Sequence, residues 1–103
     1  MKALVLEAYN HFVYRDVETP VPGPGEVRVK VMACSVCGSD VKGMDGSTGR
    51  RQPPIIMGHE ASGVIESVGQ NVTGFQPGDR VTFDSTIYCN GCEMCRKGMV
   101  NLC

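Results

Sequence analysis

The chain is 103 residues long and carries 10 Lys and Arg against 11 Asp and Glu, a formal net charge of −1. That length fits one domain. The near-neutral balance excludes a polybasic nucleic-acid or acidic-membrane binder, whose affinity rests on excess basic groups. No apolar run approaches the ~20 residues of a membrane span. The start, MKALVLEAYN, is too briefly apolar for a signal-peptide core of about 7–15 residues. A soluble, cytoplasmic protein is expected, a compartment in which paired cysteines more often bind metal than each other. Thirteen Gly and six Pro, against three Phe, three Tyr and no Trp, describe a turn-rich chain with few bulky core residues. Six Cys are the first pointer to function.

In chain order, residues 2–8 and 11–17 read as short strands, joined as a hairpin across Tyr9-Asn10. The block Pro20-Val-Pro-Gly-Pro-Gly25 is a turn, because Pro fixes φ and Gly supplies positive φ. Residues 26–31 alternate, with Val27, Val29 and Val31 on one face and Arg28 and Lys30 on the other, the period-two pattern of a half-buried strand. A turn or short helix is expected over 34–42 and a polar loop over 43–54. A β-branched strand follows over 61–68, then a tight turn at Gln76-Pro-Gly-Asp79 and a short strand from Arg80. Residues 88–103 show no useful periodicity. Short strands punctuated by Gly and Pro, with little helix, indicate a mainly β, barrel-like domain.

Cys89, Cys92, Cys95 and Cys103 form a C-x2-C-x2-C-x7-C tail. Four thiolates suit a closed tetrahedral zinc of the structural kind. Bacterial ferredoxins share the first half of this spacing, but position 99 is Met where their fourth Cys would fall. An iron–sulfur cluster and free or disulfide-bonded thiols are the competing readings. A second candidate set is Cys37, His59 and Glu60, since catalytic zinc sites draw three ligands from distant segments. His59-Glu60-Ala61-Ser62-Gly63 is not H-E-x-x-H, which argues against a metalloprotease. Cys34-Ser-Val-Cys37 lacks the βαβ context of a redox dithiol, and Cys34 is expected to pack as a small apolar side chain.

CGSD at 37–40, GHEASGVIESVG at 58–69, PGDRV at 77–81 and the four-Cys tail occur together in this order. The combination resembles the N-terminal GroES-like catalytic domain of zinc-dependent medium-chain alcohol dehydrogenases, closest to the sorbitol, galactitol-phosphate and threonine dehydrogenase branch. The resemblance implies a mainly β, partly open GroES-like barrel with a zinc-binding lobe at 88–103. It implies that Cys37, His59 and Glu60 hold a catalytic zinc and that Cys89, Cys92, Cys95 and Cys103 hold a structural one. Ser39 would relay the alcohol proton, and Asp40 would hydrogen-bond His59. The implied reaction oxidises a secondary alcohol or polyol through its zinc-stabilised alkoxide, with hydride transfer to NAD(P).

Two departures stand out. Lys42 occupies the position where several relatives carry a His at the outer end of the proton relay. No G-x-G-x-x-G is present, and the family's nucleotide-binding Rossmann domain has no counterpart in 1–103. The expectation is therefore a truncated N-terminal portion of the catalytic domain, inactive alone, with one zinc retained per chain, inclined to form homo-oligomers through unpaired sheet edges. Partners would be a small-molecule alcohol or polyol, with no nucleic acid and no membrane. Arg50 and Arg51 suggest testing a sugar-alcohol phosphate. The alternatives are a stand-alone zinc-binding structural or interaction module and, from the fold name alone, a co-chaperonin.

Overall fold

A computed structural model describes all 103 residues. Strands β1 (Lys2–Ala8) and β2 (His11–Asp16) form the expected antiparallel hairpin, with Asn10 at φ +60° in its turn. Strand β3 (Val27–Cys34) extends the alternating segment by three residues. Helix α1 (Gly38–Gly43) follows, then the two-residue strand β4 (Ile55–Ile56), which the sequence pattern did not reveal. Strands β5 (Ala61–Val68) and β6 (Arg80–Thr82) lie where expected. The tail contains a one-turn helix α2 (Glu93–Arg96) and a 3₁₀ turn at Val100–Leu102, both too short to leave a periodic signal.

The strands make two antiparallel three-stranded sheets, ordered β2-β1-β4 and β3-β5-β6. The fold is mainly β, and the sheets do not close into a true barrel. Its core is small: Ala3, Val5, Leu6 and Ile65 are the buried apolar residues. Val27, Val29 and Val31 do share a face, lining an apolar groove of about 480 Å³ with Ile65, Phe75 and Val81.

The β3–β5 ladder positions the functional residues. Its register runs from Val27 opposite Val68 to Cys34 opposite Ala61, with irregularities between Arg28 and Val29 and between Val31 and Ala33. Gly63 sits within it where only a hydrogen fits: a Cβ would lie 2.2 Å from the Lys30 carbonyl oxygen and 2.7 Å from Val29 Cγ1. Backbone cannot yield as a side-chain tip can. Gly63→Ala should therefore cost about 1–3 kcal/mol in urea denaturation. Gly38→Ala, where the Cβ meets nothing within 4 Å, should be neutral or stabilising by up to about 1 kcal/mol.

Candidate metal centres

Twenty-two residues separate Cys37 from His59, yet the β3–β5 ladder removes the distance. Past Cys34 and Ala61 the two segments stay zipped: Ser35 N–H donates to the Glu60 carbonyl at 3.0 Å, and the Ser35 hydroxyl donates to the Glu60 carboxylate. Cys37 then begins α1 opposite His59 and Glu60. One ligand atom from each of these three residues lies within 4.8 Å of the others. Gly58, at φ +116°, turns the chain into His59 through a conformation that side chains rarely adopt.

Asp40 organises the surroundings. It is 9% exposed, and its Oδ2 accepts from the Cys37 N–H at 3.2 Å, tying the first turn of α1. Its Oδ1 lies 3.2 Å from His59 Nδ1 and 3.7 Å from Arg51 Nη2. The approach to His59 is close but not aligned as a hydrogen bond, and both atoms are buried with no better partner. The other ring nitrogen, Nε2, faces away from the carboxylate and lies 3.5 Å from Ser39 Oγ. The ring is thus oriented with Nε2 toward the Cys37, Ser39 and Glu60 side. Glu60 is held below its ordinary value of 4.5 by the Ser35 hydroxyl, then by the Cys37 side chain, with burial opposing and the His59 charge assisting.

Sequence reasoning missed Ser35 and read Arg51 for a different role. Ser35 carries no motif signal, and its place beside Glu60 follows only from the strand register. Arg51 faces Asp40 at 28% side-chain exposure rather than standing free for a phosphate, which weakens the reading of Arg50-Arg51 as an anion site. Cys34 is exposed, a correction to its expected packing: β3 ends there, and its side chain lines an open cavity.

The second cluster gathers all four tail cysteines, each with a sulfur within 4.8 Å of the others. Cys92 Sγ and Cys95 Sγ are 3.5 Å apart, and Cys89 Sγ and Cys95 Sγ 4.0 Å. A tetrahedral zinc with 2.3 Å bonds requires sulfurs about 3.8 Å apart, so the arrangement fits. None of the six cysteines is in a disulfide. Backbone N–H groups point at the sulfurs: Cys92 N to Cys89 Sγ and Cys89 N to Cys103 Sγ, both 3.3 Å, and Cys95 N to Cys92 Sγ at 3.5 Å. The knuckle turns use Asn90 at φ +57° and Gly98 at φ +76°; Gly91 has no positive φ.

A family model described as the alcohol dehydrogenase GroES-like domain matches residues 23–103. The chain belongs to the zinc-dependent medium-chain alcohol and polyol dehydrogenases. It is 42% identical to a sorbitol dehydrogenase from Halalkalibacterium halodurans over 106 aligned positions, covering 100% of the chain and 31% of that protein. Among solved structures it resembles a candidate zinc-binding dehydrogenase from Sinorhizobium meliloti 1021 bound to NADP, with TM-score 0.93, 40% identity and coverage of 99% of this chain and 30% of that one. It also resembles an alcohol dehydrogenase from E. coli CFT073 complexed with NADH, with TM-score 0.88, 38% identity and coverage of 100% and 30%. The chain spans about a quarter to a third of the length of the curated relatives it matches. No helix of this dehydrogenase domain is long and apolar enough to cross a membrane.

The thiols of its four-Cys cluster differ sharply from one another. Backbone N–H groups of Gly91 and Cys92, with the Cys103 and Cys92 thiols, lower Cys89 to about 6. Burial first, then the neighbouring Cys92 and Cys103 thiols, push Cys95 up to about 12. Metal removal should erase the geometry these differences depend on, so iodoacetamide should label the four tail cysteines at similar rates in chelator-treated protein and more slowly in metal-loaded protein. Peptide mapping by mass spectrometry compares the two states.

Proposed function

We propose that residues 1–103 are the N-terminal part of the catalytic domain of an NAD(P)-dependent alcohol or polyol dehydrogenase, with a structural zinc lobe at 88–103. The observation that carries the reading is the convergence of Cys37, His59 and Glu60 beside an open cavity, with Asp40 behind the histidine. A soft thiolate, an imidazole and a carboxylate form a donor set suited to a catalytic zinc with room for substrate. When bound, zinc supplies Lewis acidity that lowers the pKa of an alcohol.

The chain's own residues do the rest. Asp40 holds the His59 proton on Nδ1, leaving Nε2 as the ligating nitrogen. Ser35 keeps the Glu60 carboxylate ionised and oriented. Ser39, exposed at the cluster, accepts the substrate hydroxyl proton at Oγ and passes it outward, with Lys42 one turn further along α1. A nicotinamide, of the kind that NADP or NADH carries in the similar structures above, would supply the acceptor for the carbinol hydride. Cys89, Cys92, Cys95 and Cys103 would hold a second zinc, which would order the lobe. Homo-oligomers would form through exposed sheet edges. A stand-alone zinc module needs only the tail cluster and leaves Cys37, His59 and Glu60 without a purpose.

Metal analysis and cobalt(II) substitution test this reading directly. The purified chain should retain one zinc per molecule at the four-Cys site. Excess cobalt should load a second, spectroscopically distinct site that a mild chelator strips first. Cys37→Ser should abolish the second signal and spare the first. Asp40→Asn should weaken cobalt binding at the second site by about 10–100-fold. A single cobalt environment, unaffected by Cys37→Ser, would refute the catalytic-metal assignment.

A further inference from the structure

The cavity beside the Cys37, His59 and Glu60 cluster has a volume of about 740 Å³ and lies between the end of β3, the start of β5 and the segment after β6. Its lining mixes polar groups with the apolar Ala33, Ala61 and Phe83 and is one-sided in charge. Ser35, Ser62, Thr82 and Ser85 contribute hydroxyls, Glu60 and Asp84 contribute carboxylates, and no Lys or Arg lines it. Some of these groups are already engaged. The Ser35 hydroxyl donates to Glu60, and that of Thr82 donates to the Ala61 carbonyl at 3.0 Å. Asp84 is held in place by its own turn: Oδ1 accepts from Thr86 N at 2.8 Å and Thr86 Oγ1 at 2.6 Å. Those two bonds use one carboxylate oxygen and hold the group below its ordinary value, and Oδ2 of this cavity-lining residue has no hydrogen-bond partner in the chain.

Charge balance gives Asp84 its weight. If the metal reading above holds, the Cys37 thiolate and the Glu60 carboxylate carry two negative charges and cancel those of a divalent ion, with His59 neutral. The one uncompensated charge on this wall is then Asp84. A carboxylate oxygen accepts hydrogen bonds from hydroxyls and repels anions. We propose that Asp84 is a specificity-determining residue: it accepts a hydrogen bond from a hydroxyl remote from the reacting carbon and selects neutral polyols over their phosphate esters. A phosphate monoester carries about −1.5 to −2 at pH 7 and would face this carboxylate across the cavity. The inference rests on the dehydrogenase reading and sets aside a sugar-alcohol phosphate as substrate.

Binding to the metal-loaded chain tests the inference without any turnover. Amide resonances are followed by NMR while sorbitol or sorbitol 6-phosphate is added. Sorbitol should shift the amides of Thr82 to Ser85, and the phosphate should bind at least about fivefold more weakly at low salt, the gap narrowing as salt rises. Asp84→Asn retains the Oδ1 acceptor for Thr86 and should bring the two affinities within about twofold. Asp84→Glu keeps the charge and should keep the discrimination. Equal or tighter phosphate binding by the unaltered chain, an unchanged ratio in Asp84→Asn, or no shift at Thr82 to Ser85 with either ligand would overturn the proposal. The cobalt spectrum of the same samples separates the two failures. A second site that takes up no cobalt refutes the metal reading and this inference with it, whereas a loaded site without discrimination refutes Asp84's role alone.

Discussion

The antiparallel register of β3 against β5, ending with Cys34 opposite Ala61 and continued by the Ser35–Glu60 backbone bond, is what the rest of the structure depends on. A strand pair fixes which residues follow one another across the gap as well as which ones pair. Cys37 lies three residues beyond the end of β3, and His59 and Glu60 lie just before the start of β5, so all three emerge at the same end of the ladder. A one-residue slip would turn Val27, Val29 and Val31 away from Ile65 and Val81 and move Glu60 off Ser35. The apolar groove and the polar cluster are thus two readouts of a single alignment. Gly63 guards that alignment, since the ladder is too tight there for any side chain.

Asp40 connects this ladder to the helix. A buried carboxylate is costly unless its oxygens find partners. Asp40 Oδ2 accepts from the Cys37 N–H, and Oδ1 lies within ion-pair distance of the His59 ring and the Arg51 guanidinium without a hydrogen bond to either. Helix α1 is six residues long, far below the length at which a helix holds itself together in water. Its position is therefore set by these contacts and by the loop through Arg51, whose Cγ would lie 2.7 Å from a Cβ at Gly43. One group both anchors a marginal helix and orients the histidine. Ser39 gains its placement near Nε2 only because Asp40, one residue on, is fixed.

What could be read from the sequence follows from how local each feature is. The hairpin across Tyr9-Asn10, the alternating β3 and the β-branched β5 are set by nearest neighbours, and their side chains show the period. The four-Cys tail was legible because its ligands are close together in the chain. Cys37, His59 and Glu60 were legible as a set through their resemblance to a family, since spacing alone could not show them converging. Ser35, Arg51 and Asp84 were not legible. Serine, arginine and aspartate are common in loops, and their roles depend on register and turn geometry that no local pattern encodes. Strand β4 was missed because two residues cannot display a period. Cys34 was misjudged because an apolar strand suggested burial, whereas the strand ends at that residue beside a cavity.

The two clusters stand in opposite relations to folding. The three-residue set is prepared by a strand ladder, a hydrogen-bonded helix turn and a buried carboxylate, which already hold its candidate ligand atoms near one another. The tail has no such support. Residues 88–103 contain no buried side chain, and their regular structure amounts to a four-residue helix and a three-residue 3₁₀ turn. The N–H groups of Cys89, Cys92 and Cys95 point at sulfur. A segment whose backbone donors are aimed at thiolates, and whose hydrophobic burial is negligible, gains its order from what the sulfurs bind. With the two zincs proposed above, metal at the tail would be a folding requirement for the lobe. At Cys37, His59 and Glu60 it would be an addition to a scaffold already built.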